Sequence, residues 1–299
     1  MTPRRAHLLL AALALVAALE WISAAFAYRS TLSPAAWERA ATEISGLDAP
    51  VLLGTAWLSP LARQHIPAFT TPTSLAPPDL HGLPRFHVLG HAGSPRQGAW
   101  SPELRDDLGE LPPPILTGAT DLGPLVLHHY EQPATAPVVA DILAPPFQLR
   151  DDRGPCRLSS GTWTCKQGTA AFRLVEVAYR PRHCLVIQLE DGATLELTTT
   201  TTLGTSLRGH LGFADFNSRL RNDAPALLEL HVDDAPAGRW TLTDNQGWAA
   251  FAAPTAPGRH TVRVRLTPLL SGSWTPEGYV PQPPRLACLE LRALAEPTP

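Results

Sequence analysis

The sequence is poor in charge. Asp, Glu, Lys and Arg make up 17% of its 299 residues and the formal net charge is −3. That leaves no basic surplus for a nucleic-acid partner, and it does not fit a highly charged disordered chain. Cysteine is scarce as well: Cys156, Cys165, Cys184 and Cys288 are the only four, with no C-x2-C pair among them, which removes the common zinc frameworks. Neither G-x-x-x-x-G-K-[ST] nor G-x-G-x-x-G occurs, so no phosphate cradle is expected. G-x-S-x-G and H-E-x-x-H are missing too, and with them the familiar nucleophile elbow and zinc-protease helix. No internal repeat is visible. No metal and no cofactor is expected.

Apolar residues are plentiful at 44%, and 32 prolines are about double the ~5% average, a density that favours short strands and rigid loops. Arg4 and Arg5 precede the apolar run 8–19, and Ala25-Phe26-Ala27 has the A-x-A form of a cleavage site. Residues 1–28 are read as a signal peptide or as a signal anchor, since ~20 apolar residues cross a bilayer. Glu20 costs ~2.5 kcal/mol or more near the centre of such a span. Both readings predict export, with membrane contact through the N-terminal segment if it stays uncleaved. The cysteines agree with an oxidising compartment. C-x8-C in "CRLSSGTWTC" suits a hairpin clip, so Cys156 is paired with Cys165 and Cys184 with Cys288.

The remainder divides into two halves. Residues 29–134 predict a small parallel three-layer α/β domain. Ser33-Pro34, Ser59-Pro60 and Ser101-Pro102 each look like a capped helix start, and they alternate with the apolar runs "PVLLG", "RFHVLG" and "GPLVLHHY". Residues 135–295 predict an all-β domain, a disulfide-containing β-sandwich of jelly-roll type. Its runs, such as "HCLVIQLE" and "HTVRVRLTP", alternate in and out, and "EDGA", "DDAPAG" and "DNQG" mark turns. Residues 296–299 form a tail.

Candidate sites follow from this layout. In an open parallel sheet ligands lie beyond the carboxyl ends of the strands, which here carry Thr55, Trp57, His91, Tyr130 and Glu131. The last three could do acid-base work. In the β half, Trp163, Trp240, Trp248 and Trp274 offer faces for sugar rings, with Asn217, Arg219, Asn222 and Asn245 as hydroxyl partners. Asp233 and Asp234 crowd a turn where calcium is conceivable, although a calcium site needs six or more oxygens. His128 and His129 are adjacent and point to opposite faces of a strand, and His183, His210, His231 and His260 are expected on strand surfaces.

The stretches "LSPAAWERAATEI…APVLLGTAWLSP", "LPRFHVLGH" and "LGPLVLHHYE", with "LGTSLRGHLGFADFNSRLRNDAPALLELHVDD" and "TDNQGWAAFA…GRHTVRVRL", resemble the extracytoplasmic soluble region of bacterial polytopic glycosyltransferases that use lipid-linked sugars. The resemblance implies an α/β domain followed by a carbohydrate-binding-like jelly roll. Such transferases hold their catalytic carboxylates between many membrane helices, whereas this chain has one apolar segment at most, so no catalytic residue carries over. The chain is therefore expected to be a non-enzymatic exported envelope protein, binding glycan or a membrane glycosyltransferase. The alternative is an exported hydrolase working at the rim of the α/β sheet.

Overall fold

A computed structural model describes residues 13–23, 32–54, 58–70, 80–91, 112–177, 180–214, 225–243, 247–269, 272–280 and 285–296. Residues 13–23 are helical. Leu13, Leu15, Val16, Leu19, Trp21 and Ile22 are all exposed there. No described helix is long and apolar enough to cross a membrane.

Ser33 caps the next helix as its sequence predicts. Its backbone is extended, its hydroxyl accepts from the Ala36 N–H at 3.3 Å, and Pro34 opens the helix Pro34–Ser45. Trp37, Ala40 and Ile44 recur on one face and are buried. The second Ser-Pro differs. The helix Ser59–His65 starts on the serine itself, Leu58 holds the cap position without a side-chain bond, and Ser59 is buried with its hydroxyl unpartnered among the described residues. Ser59 is thus a helical core residue rather than a cap. Ser101 lies outside the described residues.

The expected parallel α/β domain is not what the chain forms. Strands β1 (Val51–Leu53), β2 (Arg85–His91), β3 (Ile115–Asp121) and β4 (Leu125–Glu131) make a four-stranded sheet in the order β1-β2-β4-β3. Only β1 and β2 are parallel; β2–β4 and β3–β4 are antiparallel. The unforeseen strand is β3, joined to β4 by a tight turn in which Gly123 takes φ +87 and donates its N–H to Asp121 Oδ1 at 2.8 Å. A strand that reaches β4 through a hairpin must run against it. Both helices contribute to one apolar cluster with this sheet: Trp37, Ala40, Ile44 and Ala62 pack with Val51, Leu89, Leu125 and Leu127.

The remainder is a two-sheet β-sandwich with every pairing antiparallel. In chain order its strands are β5 (Val138–Asp141), β6 (Gln148–Asp151), β7 (Gly154–Pro155), β8 (Arg157–Ser159), β9 (Thr162–Thr164), β10 (Gly168–Val177), β11 (Arg180–Leu189), β12 (Leu195–Leu203), β13 (Ser206–Phe213), β14 (Ala226–Val232), β15 (Ala235–Leu242), β16 (Ala249–Pro254), β17 (Gly258–Pro268), β18 (Ser273–Thr275), β19 (Gly278–Val280) and β20 (Arg285–Leu294). One sheet runs β16-β13-β20-β11-β10-β9-β8, with β5 also paired to β20; the other runs β15-β14-β17-β12-β6-β7. The short hairpin β18–β19 stands apart from both. Alternate residues face inward, as period-2 patterning requires: Leu185, Ile187 and Leu189 meet Leu195, Leu197, Val262, Val264 and Leu266 in one core. Each fully buried Leu or Ile contributes about 1.5–3 kcal/mol.

Both expected disulfides are present. Cys156–Cys165 clips the β8–β9 hairpin, and Cys184–Cys288 joins neighbouring strands β11 and β20. The second lies on the outer face of its sheet in a cluster with Val177, Val186 and Trp248.

Candidate functional site

The chain crosses from one sheet to the other between β7 and β8, and this crossing builds a groove. Its wall carries Pro155, Cys156, Leu158 and Trp163; its floor is the outer face of the six-stranded sheet, with Gln148, Arg150, Glu196, Thr198 and Arg263. The groove encloses about 550 Å³, within the range of sites for small ligands. Trp163 stacks on Phe147 at 4.9 Å and meets Phe172 edge-on at 6.0 Å, and Phe172 in turn stacks on His183. This aromatic column fixes the inner end of the groove, while Leu158 forms an exposed apolar lip.

The floor is a row of opposed charges. Register places Arg150 opposite Glu196, Glu196 opposite Arg265, Arg265 opposite Glu229, and Glu229 opposite Arg239. Directly opposed side chains of opposite sign stabilise a sheet. Arg265 lies 3.6 Å from Glu196 and 3.5 Å from Glu229, and Arg239 lies 3.7 Å from Glu229. Arg263 also leans on Glu196, at 3.9 Å, and pairs with Asp234. Arg150 ends the row beside the wall.

Asp151 anchors the wall. Its Oδ1 accepts from the Arg153 N–H at 2.9 Å and its Oδ2 from the Gln167 N–H at 2.7 Å. Burial acts to raise its pKa, but these bonds and those from the Lys166 and Gly154 N–H groups outweigh it and hold the carboxyl below the usual range.

The four candidate tryptophans do not share a face. Trp163 lines the groove. Trp240 packs against Phe251 at the sandwich core. Trp248 covers the Cys184–Cys288 cluster, its indole N–H unpartnered among the described residues. Trp274 is 77% exposed on the β18–β19 hairpin, beside Tyr279, whose hydroxyl donates to Asp191 at 2.7 Å. Thr55, Trp57, Asn217, Arg219, Asn222 and Asn245 lie outside the described residues. Phe147, Arg150, Glu196 and Arg263 were not singled out from the sequence. The usable signal for Arg150, Glu196 and Arg263 was their outward phase on strands whose alternate residues are apolar, but only strand order shows that they meet; Phe147 precedes its strand and packs against the core.

The acid-base rim is not assembled. His91 stands opposite Leu125 and Tyr130 opposite Phe86 on antiparallel strands, so His91 and Tyr130 lie roughly 17 Å apart at ~3.4 Å per residue. That exceeds any hydrogen-bond reach for a shared proton. His128 and His129 do point to opposite faces: His129 Nδ1 meets His87 Nδ1 at 2.8 Å, and His128 approaches Tyr130. His210 is a correction to its expected surface position, being 3% exposed and 3.0 Å from Glu290. Asp233 is bonded to His260 and the Thr261 N–H, and Asp234 to Arg263, so this turn is held by protein donors. Among the described residues no group of three or more His, Cys, Asp or Glu could hold a metal ion.

The sequence matches no described protein family and no curated protein. Among solved structures it is similar over part of its length to CBM51-2 in complex with GlcNAc and INT domains from Clostridium perfringens ZmpB, at 13% identity, 55% of this chain, 30% of that chain and a TM-score of 0.28. It is also similar to the M60 catalytic domain with CBM51-1 and CBM51-2 from the same protein, at 10% identity, 61% of this chain, 23% of that chain and a TM-score of 0.30. A third is TmCBM61 in complex with β-1,4-galactotriose, at 9% identity, 49% of this chain, 86% of that chain and a TM-score of 0.28. The chain thus spans 30% of the first and 23% of the second. Overlaps this slight transfer neither a site nor a ligand, and nothing in them links the chain to a membrane glycosyltransferase.

Proposed function

We propose that the chain is a non-enzymatic, exported glycan-binding protein whose ligand lies in the groove beside Trp163. The observation that carries this reading is the pairing, in one groove of about 550 Å³, of an apolar wall with a floor of hydrogen-bonding side chains. A sugar ring has the same two sides, a CH face that suits Pro155 and Leu158 and an edge of hydroxyls that suits Gln148, Thr198 and Glu196. Two disulfides suit an oxidising compartment, and the exposed apolar side chains at 13–23 suit a lipid or leader role for that segment. No observation favours a glycosyltransferase as the partner, and the hydrolase alternative loses its site with the separation of His91 from Tyr130.

The test is a glycan array with the full chain, followed by titration calorimetry on any hit. Leu158→Asp puts a charge on the exposed lip without touching the core, so its thermal unfolding should match the wild type while affinity falls at least about tenfold. An array without hits, or hits indifferent to Leu158→Asp, overturns the proposal.

A further inference from the structure

The charge row of the floor has an odd member. Arg150, Arg265 and Arg239 alternate with only Glu196 and Glu229. Glu196 turns to Arg265 and Arg263, and Glu229 to Arg265 and Arg239. Arg150, although opposite Glu196 in register, makes no ion pair or side-chain hydrogen bond among the described residues. It is exposed, it lines the groove, and it stands beside the apolar wall. Its guanidinium therefore offers a planar fork of donors whose best complement is a carboxylate held by two parallel bonds. The other lining cation, Arg263, is engaged by Asp234 and Glu196, so Arg150 is the lining arginine left for a ligand anion.

Resting on the glycan reading, we infer that the groove selects an acidic sugar, with Arg150 binding the sugar carboxylate while its ring lies against the wall. A neutral sugar would leave this guanidinium to water. An acidic peptide could supply the carboxylate but not the ring.

The probes are trigalacturonate, its methyl ester as the neutral counterpart, and a tri-glutamate peptide, titrated into the full chain at two salt concentrations. The acid should bind at least about tenfold tighter than the ester, and should weaken with salt more steeply than the ester does. Arg150→Gln should bring the acid-to-ester ratio to about one. Equal binding of acid and ester by the wild type overturns the inference and leaves the glycan reading standing, as do array hits confined to neutral glycans. Tri-glutamate binding as tightly as trigalacturonate overturns it in favour of a peptide ligand. An array with no hits at all overturns the glycan reading, and the inference with it.

Discussion

Asp151 is the residue on which the geometry of the groove wall turns. It is 2% exposed, and each of its carboxylate oxygens serves a different turn, one at Arg153 and one at Gln167, two residues after Cys165. Asp151→Asn keeps the shape but has one acceptor oxygen, so its amide NH2 faces a backbone N–H and leaves a buried pair unmade. The expected cost is about 1–3 kcal/mol, read as a lowered urea midpoint at neutral pH. A cost near zero would mean that the two turns are held by the disulfide alone. Trp163 was legible as a candidate because a tryptophan is conspicuous in any sequence. Arg150 was not, because an arginine in "FQLRD" looks like any solvated strand residue until its cross-strand partner is known to be engaged elsewhere.

Elements show where sequence patterning works and where it stops. The sandwich strands alternate over long runs, and those from "FQLRD" to "RLACLEL" appear where their alternation puts them. β3 escaped because it is an edge strand: Thr117, Gly118 and Thr120 break its pattern, and most of it is exposed. Missing it turned a hairpin into an apparent crossover and the sheet into a parallel one. The same sheet holds a titratable device. Burial and the neighbouring His129 lower the pKa of His87, with Asp48 opposing and Arg85 adding to them, and burial followed by His129 lowers that of His128. His183, stacked on Phe172 in the sandwich, is lowered by burial. A histidine lowered in the folded state is neutral there while its unfolded counterpart takes a proton below ~6.5. The stability these three contribute is therefore present above pH ~6.5 and is lost as pH falls from there through their folded pKa values. Urea unfolding at steps from pH 7.5 to 5 should show falling stability, with a shallower slope in His87→Gln. A flat profile over that range would rule out buried neutral imidazoles.

At the scale of the molecule, a charged network bridges the four-stranded sheet and the sandwich. Glu290 on β20 receives His210 on one oxygen and Arg292 on the other, and Arg292 also donates to the His81 carbonyl just before β2. Arg292 and His210 are buried, so removing the cation leaves a carboxylate short of its partner. Arg292→Met should cost about 3–5 kcal/mol. The Arg63–Glu176 pair, at 2.8 Å, is half-exposed, and Arg63→Ala should cost no more than about 1 kcal/mol. Chemical denaturation of the two variants separates them; similar losses would mean that the buried network carries no special weight. None of this is visible along the sequence, where 81 and 292 are far apart and "RLACLELRAL" looks like a plain strand.

That strand has one more consequence. β20 lies inside its sheet, with β13 along one edge and β11 and β5 sharing the other. The larger sheet therefore stays in two pieces, and neither the Cys184–Cys288 bond nor the core around Leu289 and Leu291 can form, until β20 has been synthesised. Long-range closure of this kind folds slowly. Until then the edges of β11 and β13 that β20 fills have no partner, so every strand of this sheet made before β20 is held in waiting by one that comes after it.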